Sequence, residues 1–141
     1  MRVLTNNPMV HEQLNSMTAI TVDYRAVSLH ELMILVRGFV HAGHRLLTHP
    51  LSGSVKPNET LYKSIGITDA PEGALCLESL NLIEHSISTV ERFCRMDKDI
   101  KKEHELDLQL VDFTLIDSAL SSLSAARPQL ANSQPGPKDC L

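Results

Sequence analysis

A chain of 141 residues, 43% hydrophobic and 21% charged, is long enough to build one domain around its own core. A net charge of −4 argues against a binder of nucleic-acid backbones, and 4% aromatic residues with no Trp leave few platforms for base stacking. No apolar run approaches the roughly 18 residues of a membrane span, and the amino-terminal MRVLTNNPMV has no secretory h-region.

In chain order, Arg2-Val3-Leu4-Thr5 reads as a first strand. Asn7 followed by Pro8 is a helix start, because an Asn side chain accepts from free amides of the first turn and Pro needs no partner there. A short helix to about Leu14 follows. Thr18 to Val22 is rich in β-branched residues and reads as a second strand. Ser28-Leu29-His30-Glu31 has the S-x-x-E spacing of a capping box, and the helix it opens runs to a stop at Gly43. Its apolar residues cover most of the circumference, which predicts cover on two sides.

Arg45-Leu46-Leu47-Thr48 reads as a third strand. HPLSGSVKPNET, from His49 to Thr60, is a loop by its turn residues. Leu61 to Ile67 is a fourth strand, weakened by Gly66. Asp69-Ala70-Pro71-Glu72 resembles a second capping box, opening a helix to about Met96. Cys76, Leu80, Ile83, Ile87, Val90 and Cys94 form an apolar stripe along it. With no C-x-x-C spacing, these two cysteines and Cys140 predict neither a disulfide framework nor a thiolate zinc site, and Cys76 and Cys94 read as core residues of a protein in a reducing cytoplasm. The charged segment 96–105 reads as a turn. Leu106, Leu108 and Leu110 alternate as in a strand, but the longer pattern to Leu123 favours a helix. The domain then spans 1–125. The Pro-rich segment 126–141 is expected to be a disordered tail.

Strands alternating with helices predict an α/β fold: a small parallel sheet of three or four strands, a Rossmann-like half-domain with flanking helices, closed by a carboxyl-terminal helical hairpin. Ligands of such sheets bind beyond the carboxyl ends of the strands. Asn6 and Asn7 follow the first strand, and His49 opens the long loop after the third. Ser52, Gly53 and Ser54 can present consecutive backbone N–H groups, Lys56 adds positive charge, and Asn58 and Glu59 add hydrogen-bonding groups. These nine residues are the candidate site, expected to take a small anion or another small polar ligand. Among them His49 is the candidate general acid or base. No Walker, dinucleotide or G-x-S-x-G motif is present. His41, His44 and His49 lie close in sequence but lack H-E-x-x-H or other ligand spacing, so neither a metal nor a cofactor is expected.

VLTNNPMV, the loop HPLSGSVKPNET and the late segment VDFTLIDSAL together resemble the GrdX family, over roughly residues 2 to 123. Its members are small proteins encoded beside the glycine, sarcosine and betaine reductase genes of amino-acid-fermenting bacteria. The resemblance implies a cytoplasmic accessory of these reductases, with a reductase component as a partner; it carries no catalytic residue across. Two other readings stand beside a ligand-binding accessory. One is a small enzyme acting on a phosphorylated or carboxylated metabolite at the 49–59 loop. The other is a structural homodimer joined through the 76–94 stripe.

Overall fold

The computed structural model describes residues 1–51, 60–94 and 102–130. Three strands, β1 (Arg2–Thr5), β2 (Thr21–Tyr24) and β3 (Ser64–Ile67), form one sheet in the order β2-β1-β3. β1 and β2 are parallel, with Arg2 opposite Thr21 and Thr5 opposite Tyr24. β3 runs antiparallel to β1, with Leu4 opposite Ile65 and Thr5 opposite Ser64. The sheet is therefore mixed. This corrects the parallel, Rossmann-like expectation: among the described residues only β1 and β2 pair in parallel.

The expected third strand is reduced to a single antiparallel bridge between Leu46 and Ile67. Its backbone still follows β3, with Leu47 N–H donating to Gly66 O at 2.8 Å and Thr68 N–H to Arg45 O at 3.0 Å. The chain thus passes the place beside β1 and returns to fill it with β3. Gly66 is required by close approach. A Cβ there would lie 3.2 Å from Thr48 Cγ2 and 3.3 Å from Met1 Cε.

Among the described residues four α-helices cover the sheet: α1 (Pro8–Leu14), α2 (Leu29–His41), α3 (Leu77–Cys94) and α4 (Glu105–Leu130). Asn7 caps α1, its side chain accepting from Met9 N–H, with Pro8 at the first position. Ser28 and Glu31 form the full reciprocal capping box of α2. Because side chains alternate between sheet faces, Leu4 enters a cluster with Leu32, Val36, Ile83 and Val90 of α2 and α3, and Val3 enters another with Val10, Leu14, Ile116 and Leu120 of α1 and α4. The last two helices thus lie on opposite faces. The expected carboxyl-terminal hairpin is not formed, because each helix buries its apolar stripe against an earlier one.

α3 begins at Leu77, later than the Asp69 cap predicts, since Glu72 N–H is taken by Gly43 O at 3.0 Å. Its stripe is spent inside the chain: Ile83 and Val90 are fully buried in the α2 cluster, which removes that stripe as a dimer seam. Cys76 is buried as expected but is disulfide-bonded, against the sequence expectation. α4 resolves the ambiguity at 106–111 as helix, and Leu106, Leu110 and Val111 are exposed there. No described helix is long and apolar enough to cross a membrane.

Candidate functional site

β1 ends at Thr5, and the next two residues turn into α1. Both carry carboxamides, and the backbone directs them apart. Asn6 reaches across the turn: its Nδ2 donates to Leu61 O at 2.8 Å and Val27 O at 3.0 Å, while its Oδ1 accepts from Lys63 N–H at 2.9 Å. One side chain thereby ties β1, the segment entering α2 and the segment entering β3. Asn7 caps α1 through Oδ1 and turns Nδ2 toward α4, donating to Gln109 O and to Asp112 Oδ2, both at 2.9 Å.

The antiparallel register sets Ser64 opposite Thr5 on the α4 face, and their hydroxyls lie 2.7 Å apart. Asp112 closes the cluster from α4. Its Oδ1 accepts Ser64 N–H at 3.0 Å, and its Oδ2 accepts the Ser64 hydroxyl at 2.7 Å. Asp112 and Lys63 are each only 5% exposed. Burial raises the Asp112 pKa above the usual carboxylate value, because the low-dielectric surroundings penalise the charged form; the hydrogen bonds from Asn7 and Ser64 and the charge of Lys63 oppose that rise. Burial also lowers the Lys63 pKa, opposed by the charge of Asp112. A cavity of about 10 Å³, room for roughly one water, lies beside Thr48, Lys63, Ser64 and Asp112.

The arrangement brings Asn6 and Asn7 to one polar cluster at the carboxyl end of β1, and both spend their side chains on protein partners. His49 is exposed, and its Nδ1 accepts Leu51 N–H at 3.1 Å, shaping the start of its own loop. Ser52, Gly53, Ser54, Lys56, Asn58 and Glu59 lie outside the described residues. Among the described residues no group of three or more His, Cys, Asp or Glu side chains could hold a metal ion.

Thr5, Lys63, Ser64 and Asp112 are members that sequence reasoning missed. Asp112 did leave a signal. It lies four and eight residues before Ile116 and Leu120, so a carboxylate occupies the buried stripe of α4. A charge at such a position needs partners.

A family model described as GrdX-like protein matches residues 2–121. No curated protein and no solved structure matches the chain.

Proposed function

We propose that this chain, which belongs to the GrdX-like protein family, is a cytoplasmic accessory protein of glycine-, sarcosine- or betaine-reductase systems in amino-acid fermentation. Its 49–59 loop binds a small anion or a component of the reductase. The observation that supports a site there is the anchoring of both flanks of the loop. Before it, Thr48 Oγ1 accepts Gly66 N–H at 2.9 Å. After it, Asn6 holds the backbone of Leu61 and Lys63.

Anchored flanks lower the entropy that a loop loses when it orders around a ligand. Within the loop, the run Ser52-Gly53-Ser54 offers backbone donors, and Lys56 offers the charge an anion requires.

Thermal unfolding in phosphate, sulfate or acetyl phosphate, against sodium chloride at matched ionic strength, tests the anion. The midpoint is expected to rise, and the rise to vanish in Lys56→Ala. If none of the three anions raises it, or if Lys56→Ala responds as the parent does, the anion site is wrong.

A further inference from the structure

We propose that a groove at the opposite end of the sheet binds a small, largely apolar molecule carrying one positive charge. Met1 precedes β1, Ile20 precedes β2, and Thr68 and Asp69 follow the antiparallel β3, so all four meet at the amino end of β1. With the second half of α4 as the facing wall they enclose about 450 Å³. That falls within the roughly 300–1,000 Å³ of small-molecule pockets.

The floor is apolar: Met1, Ile20, Leu47 and Leu120. Met17, 45% exposed, stands on the rim, where an unbranched thioether can adapt to varied shapes. Among the described residues of the lining the charged side chains are Asp69 and Asp117, with no Lys, Arg or His. Asp69 is already paired with the α-amino group of Met1. The Asp117 carboxylate has no ion pair or hydrogen bond among the described residues.

This asymmetry selects the ligand. An apolar body covering the groove displaces water from the edge of Asp117, and a partly desolvated carboxylate is costly unless a cation meets it. An ammonium at the polar end of the ligand supplies that cation. An anionic head of the same length would add repulsion and leave Asp117 unpaired. Among the described residues the lining shares none with the nine of the anion site, so the two proposals are tested separately.

The protein labelled with ¹³C at its methionine methyls reads the groove directly. The probes are octyltrimethylammonium and octyl sulfate, both below their micelle concentrations. The ammonium is expected to shift the Met1 and Met17 methyls saturably while the buried Met33 methyl stays still; octyl sulfate is expected to produce no saturable shift. Asp117→Asn, on an exposed helix position, is expected to weaken binding by about two- to fivefold, as for a partly exposed ion pair. Asp117→Lys is expected to reverse the preference between the probes. Equal responses to the two probes, no saturable shift at Met1 and Met17, or unchanged affinity in Asp117→Asn would each overturn the proposal.

Discussion

Asp112 shows how one residue can join three elements and set a pH dependence. It reaches from α4 to the first residue of β3 and the cap of α1, and its carboxylate accepts three hydrogen bonds. Asp112→Ala would strand buried donors, at about 1–3 kcal/mol for each one left unsatisfied. The linkage is specific in sign. The Asp112 pKa is raised in the folded chain, so the native state holds its proton more tightly than the unfolded chain does. That stabilisation is full below the ordinary value of 3.8 and is lost as pH rises through the raised value. The Lys63 pKa is lowered, so its contribution is regained only as pH climbs through that lowered value toward 10.5. Urea unfolding of the parent and Asp112→Asn from pH 4 upward checks the acid side. The parent is expected to lose stability relative to the variant as pH rises; a constant difference would contradict it. At this scale the caps of α1 and α2 were legible in the sequence, because a cap is made within a few residues of itself. The Asp112 network was not, since its members lie 48 and 105 residues apart in the chain.

Two glycines, one within helix α2 and one just past its end, have opposite roles. Gly43 follows its end at φ 104°, where an L side chain is strained, and a Cβ would lie 3.3 Å from Pro71 Cβ. Gly43→Ala is expected to destabilise by about 1–3 kcal/mol. Gly38 lies within the helix, and a Cβ there meets nothing within 4 Å. Gly38→Ala is expected to stabilise by about 0.5–1 kcal/mol, because Ala loses less backbone freedom on folding. Paired denaturant titrations test both, and the two variants must move in opposite directions. Element identity was largely readable from the chain: β1, α1 and α2 fall where local signals put them, while α4 starts as expected but runs on to Leu130, five residues into the segment expected to be a disordered tail. The failures are informative. Asp69 to Glu72 has the spacing of a cap, yet Glu72 N–H is drawn to Gly43 O and α3 starts only at Leu77. Arg45 to Thr48 has strand-like residues, yet it lies beyond β3 and forms one bridge.

The whole molecule is a three-layer sandwich whose two cores share a single sheet. Val3 and Leu4 are neighbours in β1 and pack into different clusters. Neither cluster can come apart without exposing β1, so the domain is expected to unfold in one transition. Far-UV circular dichroism and tyrosine fluorescence, from Tyr24 in β2 and Tyr62, should trace coincident curves. Leu14→Ala on one face and Val36→Ala on the other should each lower that same midpoint, Leu14→Ala with a loss of about 2–5 kcal/mol of stability. Separate transitions, one per face, would refute the shared core. The sequence by itself determined the α/β class, the helix starts and the apolar stripes, because these depend on residues within one or two turns of each other. Only the tertiary structure decided that β3 takes the place beside β1 and runs antiparallel, that α3 and α4 part to opposite faces, and that Asp112 meets Ser64 and Asn7. Strand order and buried polar partners depend on which distant surfaces fit together, and no local pattern in the chain records that.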